Sequence, residues 1–220
     1  MYLPKHFAVE GAEVLHDLIR AYPFATLVTS TGGGLDANHL PMLFEAGAGG
    51  NGILQGHVAR ANPVWQQLDS GQEVLAIFQG PQTYISPNWY ASKREHGKVV
   101  PTWNYTTVHV HGTARAIEDR EWLLALVSRL TDTHEAAHDP RWKVTDAPAD
   151  YIESMLRAIV GVEIEIARIE GKWKTSQNRP AVDIPGVIEG LESRGDENSR
   201  AMAGLVGQFA RTQGTKNEKS

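Results

Sequence analysis

The chain has 220 residues, 41% of them hydrophobic and 21% charged, with a formal net charge of −5. That length can bury a full core and the composition is that of a folded protein, while the acidic balance excludes a global basic field for nucleic acid. There is no cysteine, which excludes disulfides, thiolate metal sites and cysteine nucleophiles.

The opening Met1-Tyr2-Leu3-Pro4-Lys5-His6 lacks the apolar core of a signal peptide, and no run approaches the ~18–20 apolar residues of a membrane span. A cytoplasmic protein without membrane contact is expected. Residues 1–211 are expected to form a single domain with helices at its C-terminal end, followed by a polar, disordered tail over 212–220.

Val14, Leu15, Leu18 and Ile19 repeat at helical spacing, predicting a helix over 9–20 that Pro23 ends. Phe24 to Ser30 and Leu35 to Phe44 read as two strands of a hairpin, joined by the turn Thr31-Gly32-Gly33-Gly34. A Gly-rich turn from Gly47 to Gly52 leads to a third strand, Ile53 to Val58. Asn62 suits an N-cap and Pro63 a first helical position, so a helix is predicted from Pro63 to about Ser70, closed by Gly71.

Glu73 to Phe78 and Thr83 to Ser86 are strand-like, with a break predicted at Gly80-Pro81. Residues 87–101 are irregular and polar around Lys93-Arg94-Glu95-His96-Gly97-Lys98, which suggests a mobile loop. Thr106 to Ala116 is a strand, Glu118 to about Ala137 an amphipathic helix, and Pro148 opens another helix. Gly161 to Ile169 alternates, with Val162, Ile164 and Ile166 on one face and Glu163 and Glu165 on the other, the pattern of a half-wet antiparallel strand. After a loop from Gly171 to Pro180, helices are predicted near 185–193 and 199–210. Strands on short turns, without regular βα alternation, predict a mainly β (α+β) fold, a small antiparallel barrel with peripheral helices.

Three polar clusters lie at strand ends. In Gln55-Gly56-His57-Val58-Ala59-Arg60-Ala61-Asn62-Pro63 a strand runs into a helix start, where free N–H groups and a partial positive charge suit a phosphate, and Arg60 could grip the same anion bidentately. The plainer alternative is a capped helix with Arg60 in water. His57 shares a strand face with Gln55 and could bond a phosphate or a ribityl hydroxyl, or be a satisfied, partly buried histidine. The second cluster, Asn38-His39-Leu40-Pro41, places His39 on a strand where a backbone partner would also account for it.

The third cluster is Gly171-Lys172-Trp173-Lys174-Thr175-Ser176-Gln177-Asn178-Arg179-Pro180. Lys174 and Ser176 suit an anion, Gln177 and Asn178 the polar edge of a heteroaromatic ring, and Trp173 its face; a solvated loop is the alternative. Pro87-Asn88-Trp89-Tyr90 and Pro101-Thr102-Trp103-Asn104-Tyr105 could wall a pocket for a flat ring, with core packing expected for at least one tryptophan. His109 and His111 share a strand face, and His134 and His138 stand at i, i+4, but neither pair carries the rest of a zinc motif. The Gly-x-Ser-x-Gly elbow, the P-loop and Gly-x-Gly-x-x-Gly after a strand are all missing.

Six collinear segments resemble the PaiB family: Met1-Tyr2-Leu3-Pro4-Lys5-His6-Phe7, Asn38-His39-Leu40-Pro41, Gly56-His57-Val58-Ala59-Arg60-Ala61-Asn62-Pro63, Tyr84-Ile85-Ser86-Pro87-Asn88-Trp89-Tyr90, Val100-Pro101-Thr102-Trp103-Asn104-Tyr105 and Lys174-Thr175-Ser176-Gln177-Asn178-Arg179-Pro180. Members are described as FMN-binding negative transcriptional regulators. The resemblance implies an FMN-binding split β-barrel, the fold of pyridoxamine phosphate oxidases and flavin reductases, and a homodimer with FMN at the subunit interface. It implies that the second and third strands line the flavin, with His39 and His57 on phosphate or ribityl oxygens, and that Ala59 to Asn62, including Arg60 and Asn62, takes the phosphate. It also implies that Trp173, Lys174 and Ser176 stand where oxidase relatives place a flavin-contacting tryptophan and arginine.

DNA is a possible partner by the same resemblance, although no helix-turn-helix or basic face is legible. Two other functions stay open: an FMN-dependent oxidoreductase acting on a small molecule, and a haem- or metal-binding module using His39, His57, His109 or His111.

Overall fold

The computed structural model describes residues 1–31, 33–47, 51–68, 71 and 73–217. Its seven strands are β1 (Phe24–Thr31), β2 (Gly34–Pro41), β3 (Leu43–Glu45), β4 (Ile53–Ala59), β5 (Glu73–Ile85), β6 (Thr102–Ile117) and β7 (Ile159–Lys174). The helices are α1 (Ala12–Ala21), α2 (Trp65–Leu68), α3 (Lys93–His96), α4 (Arg120–His134), α5 (Ala149–Arg157), α6 (Ile184–Ser193) and α7 (Glu197–Asn217). The chain divides into two compact units: residues 19–78 with 109–169, and residues 1–18, 79–108 and the described residues from Glu170 on. They are called the barrel unit and the helical unit below.

The strands form one antiparallel sheet in the order β2-β1-β5-β6-β7-β4-β3. Its outermost strands, β2 and β3, are consecutive in the chain and separated only by Met42. Within the barrel unit the two edges must therefore come together. Gly56 of β4 marks the seam: a Cβ there would stand 2.9 Å from the Pro41 carbonyl oxygen, so only glycine lets the strands approach this closely.

Directly paired residues share a face, and the buried pairs Ala25↔Leu40, Leu54↔Ile164 and Val58↔Val160 point into the core. On the opposite face, α4 covers β4 and β7. Its Trp122 ring sits where a Gly161 side chain would be: a Cβ at Gly161 would stand only 2.2 Å from the ring. Its Arg129 Nη2 donates to Gln55 Oε1 at 2.6 Å. Asp119 caps α4 by accepting from the Trp122 N–H at 2.8 Å.

In the helical unit, α6 and α7 enclose a core of Ile85, Tyr90, Val187, Leu191, Met202 and Val206. The turn between them uses Gly195 at φ 73°. Gly186 and Gly190, one turn apart on α6, form a groove for Trp89, whose carbonyl and indole would meet any Cβ there at 2.1 and 2.3 Å. Trp89 and Tyr90 thus pack into this unit, whereas Trp103 is 48% exposed and lies edge-on to Tyr84.

Several boundaries differ from the sequence reading. The second strand is two, broken at Met42, which buries its side chain and donates its N–H to the Pro23 carbonyl. β5 runs unbroken through Gly80-Pro81, because Gly80 stands so close to Thr106 that a Cβ would be 2.3 Å from its hydroxyl. The helix after Asn62 is one turn, Trp65–Leu68; residues 69 and 70 lie outside the described residues, as do Gly32, 48–50 and 218–220. Residues 87–101 include α3 and a 3-10 turn, Pro87–Trp89. β7 extends to Lys174, so Trp173 and Lys174 belong to a strand and not a loop. α7 continues through 212–217, which the composition assigns to the tail.

Candidate functional site

The seven residues singled out in the sequence fall into two groups, one in each unit. His39, His57, Arg60 and Asn62 belong to the barrel unit; Trp173, Lys174 and Ser176 belong to the helical unit.

In the barrel unit, Asn62 closes the turn ahead of α2 instead of capping the helix itself, which begins at Trp65. Its Oδ1 accepts from the Val64 N–H at 3.0 Å, and its Nδ2 donates to Asn38 Oδ1 at 2.6 Å. The asparagine of β2 thereby ties to the turn after β4. His39 is exposed, 3.1 Å from the Thr26 hydroxyl through Nδ1 and stacked on Phe24 with centroids 6.2 Å apart.

His57 pairs with Gly161, the seat of Trp122, and lies on the β4 face that α4 covers. Burial pushes its pKa below the ordinary histidine value, so it is neutral near pH 7. Its Nδ1 is buried without a hydrogen-bond partner among the described residues. A buried polar atom left unpaired costs about 1–3 kcal/mol, and Thr29 Oγ1 is another such atom in the barrel unit.

Arg60 is held differently. Its Nε donates to the Arg157 carbonyl at 2.8 Å, Nη2 to the Ile159 carbonyl at 3.2 Å and Nη1 to Glu118 Oε2 at 2.5 Å. The Trp65 ring lies 5.8 Å from the guanidinium carbon. All three nitrogens have partners, and Glu118 balances the charge. The pair is open to water, with side chains 37% and 56% exposed, so it is worth only about 0–1 kcal/mol. Another anion can therefore compete for Nη1. The one-turn α2 contributes little dipole, which leaves Arg60 as the charged group of this cluster.

The helical-unit group is locked from within. Lys174 Nζ donates to Thr102 Oγ1 at 2.5 Å and to the Trp103 carbonyl at 2.8 Å. Burial and then the neighbouring Lys172 lower its pKa. Ser176 is 2% exposed, takes φ 69°, and accepts from Asn104 Nδ2 at 2.8 Å. A positive φ at a buried non-glycine residue is strained and persists only where its surroundings hold it. Asn104 is fully buried, and its Oδ1 has no partner among the described residues. Trp173 borders a small cavity of about 350 Å³ with Val9, Val14, Leu205 and Phe209.

Three residues outside the expected set shape these groups. Glu118, 58 positions from Arg60, leaves no local trace in the sequence. Asp183 is fully buried and accepts from the Ser92 N–H at 2.9 Å, Ser92 Oγ at 3.0 Å and Arg179 Nη2 at 2.8 Å. Burial works to raise its pKa, but these hydrogen bonds outweigh burial and hold it below the ordinary carboxylate value. Arg179 also lies 3.9 Å from the Tyr90 ring centroid. The i, i+4 spacing of Arg179 and Asp183 is a signal that could have found this pair. Among the described residues no group of three or more His, Asp or Glu side chains gathers to hold a metal, and no helix is long and apolar enough to cross a membrane.

The strand order and the closure at the Gly56 seam define the class: an antiparallel split barrel. Residues 1–168 match the family described as "Putative FMN-binding domain", and the chain belongs to that family, whose cofactor is FMN. Among curated proteins it is 36% identical, over 94% of its own length and 96% of the other's, to protease synthase and sporulation protein PAI 2 of Bacillus subtilis (strain 168). Among solved structures it resembles flavocytochrome Anf3 from Azotobacter vinelandii (TM-score 0.55, 17% identity, 76% of this chain and 69% of that one). It resembles equally the FAD and haem binding protein from Mycobacterium smegmatis (TM-score 0.55, 15% identity, 76% and 73%). At these identities the structural likenesses speak for the fold alone.

Proposed function

We propose that this FMN-binding split-barrel protein is a regulator of the PaiB type, with the phosphate and ribityl end of FMN held by the barrel unit. The observation that carries the contacts is the Arg60–Glu118 pair, open to water and so exchangeable for a phosphate. In this reading Arg60 exchanges Glu118 for the phosphate, Asn62 and Asn38 shape the approach, His39 contributes from β2, and His57 meets a flavin oxygen where the Trp122 ring gives way. Trp173, Lys174 and Ser176 are proposed as a further set of contacts, tested separately by substitution. FMN supplies the redox chemistry, and the protein supplies binding and electrostatics.

A homodimer completes the proposal. The β1–β2 hairpin leaves Phe24 66% and Leu35 80% exposed, apolar surface that a second copy would cover. The regulatory role, and a cytoplasmic location with it, are carried over from the PaiB resemblance of the six segments; the near full-length relation to the Bacillus subtilis protein supports that resemblance.

The test has two arms. Purified protein loaded with FMN is assayed for gel retardation of DNA upstream of its own gene at 50 and 200 mM salt, and for steady turnover of NAD(P)H. Sequence-selective retardation that weakens with salt, without turnover, is the expected result. Steady turnover without DNA binding would replace the regulator by an oxidoreductase. Light scattering of the same sample reads the dimer.

A further inference from the structure

A cleft of about 420 Å³ lies within the helical unit, between the stretch from Asn88 to Arg94 and one face of α6. None of the residues considered above for the flavin lines it. The α6 face consists of Gly186, Glu189, Gly190 and Ser193, spaced i, i+3, i+4 and i+7 along one side of the helix. Its two glycines leave a hollow, which Trp89 partly fills, and the half-buried Trp89 forms the floor of the cleft.

The two walls carry opposite charges. Arg94 borders the cleft from α3 and Glu189 borders it from α6. Both side chains are exposed, so a solute can reach them. Neither side chain has a hydrogen bond or an ion pair among the described residues, and the two do not pair with each other. Opposite charges that border one cleft and stay apart leave a place for a ligand that joins them.

Both groups stand on anchored backbone. Two residues before Arg94, Ser92 donates its N–H and its hydroxyl to the buried Asp183 carboxylate. On either side of Glu189, Val187 and Leu191 seat α6 in the core of the unit. Binding therefore has to order two side chains and no backbone, which keeps its entropic cost low.

The charge pattern narrows the ligand. An anion alone would meet Glu189, and a cation alone would meet Arg94, each with one charge left uncompensated. A zwitterion answers both: its carboxylate suits the planar guanidinium fork, and its ammonium suits the Glu189 carboxylate. Trp89 offers apolar surface beneath it.

We propose that this cleft is a binding site for a free α-amino acid with an apolar side chain, its carboxylate on Arg94 and its ammonium on Glu189. The site stands apart from the flavin contacts, and its ligand would be an effector of the FMN-loaded protein.

The test titrates FMN-loaded protein by calorimetry with L-phenylalanine, hydrocinnamate and phenethylamine, which share a ring and differ in charge. Saturable one-to-one binding of phenylalanine, about tenfold tighter than either analogue, is expected. Arg94→Ala should weaken phenylalanine about tenfold and leave phenethylamine no weaker. Glu189→Gln should weaken phenylalanine and leave hydrocinnamate no weaker. Both residues are exposed, so both variants should keep the flavin spectrum and melting temperature of the wild type. Should the protein fail to take up FMN, the flavin reading falls, and the same titration of the unloaded protein still decides this one. No saturable binding of phenylalanine, equal affinity for the three compounds, full binding in either variant, or displacement of FMN by phenylalanine would each overturn the proposal.

Discussion

The two groups of polar residues look alike in sequence and are built on opposite principles. In the barrel unit the cationic group, Arg60, is partly exposed and paired with a carboxylate that water also reaches. In the helical unit the cationic groups are largely buried and held by fixed neighbours: Lys174 by Thr102 and a carbonyl, Arg179 by a fully buried aspartate. An exposed pair is worth little and can exchange partners, whereas a buried one is costly to break. A dense run of polar residues can therefore mark a clamp as readily as a binding loop.

The largest effect expected from this contrast is at Asp183. Asp183→Ala strips the buried Arg179 of its counter-charge and leaves the Ser92 N–H and hydroxyl without an acceptor, which should cost about 3–5 kcal/mol. Urea unfolding measures it. The Asp183 contribution is present above the unfolded carboxylate pKa, about 3.9, and is lost as pH falls through the lower folded value. In Asp183→Ala that part of the acid unfolding should vanish. A loss below about 1 kcal/mol would mean the helical unit is no more tightly held than the barrel unit.

Next in size is Gly161→Ala. The new Cβ would collide with the Trp122 ring that covers the His57 face, and overpacking of this kind costs about 1–3 kcal/mol. Increased accessibility of His57 to diethyl pyrocarbonate should accompany the lower melting temperature. An unchanged melting temperature would show that α4 lies loosely on the strands.

Much of the architecture is legible in the sequence, because it follows from period and punctuation. The alternation of Val162, Glu163, Ile164, Glu165 and Ile166 places β7 correctly, since one side faces the core and the other does not. The misreadings share one cause: tertiary contacts overriding local signals. Gly80-Pro81 reads as a break between two strands, but the glycine lets β5 run on in close approach to Thr106. Lys172 and Lys174 read as part of a loop after the last strand, yet both belong to β7, and Lys172 is 8% exposed, its Nζ bonded to the Tyr2 carbonyl and set among aromatic rings. The candidate residues of the barrel unit are found by motif, but what each does depends on partners far along the chain. Glu118 and Trp122 carry no signal that would tie them to Arg60 and His57.

His57 gives a pH-dependent reading of the same contrast. Its pKa is lowered in the folded protein, so below about pH 6.5 the unfolded chain binds a proton that folded His57 refuses. Stability should fall as pH drops from 7.5 to 5.5, by at most about 1.4 kcal/mol per pH unit. His57→Gln should flatten that slope. The same slope in wild type and variant would remove His57 as its source.

The smallest effect separates a replaceable partner from a permanent one. If Glu118 holds the position on Arg60 Nη1 that the FMN phosphate takes, then Glu118→Gln should tighten FMN about two- to fivefold and leave riboflavin unchanged, in line with an exposed pair worth up to about 1 kcal/mol. Arg60→Ala should weaken FMN about tenfold or more, again sparing riboflavin, since a charge-assisted hydrogen bond is worth about 1.5–3 kcal/mol. Flavin fluorescence quenching measures all four affinities. The two variants must move FMN in opposite directions with riboflavin as the common reference. If both shift FMN and riboflavin together, Arg60 is a staple joining the end of β4 to residues 157–159, and the phosphate lies elsewhere.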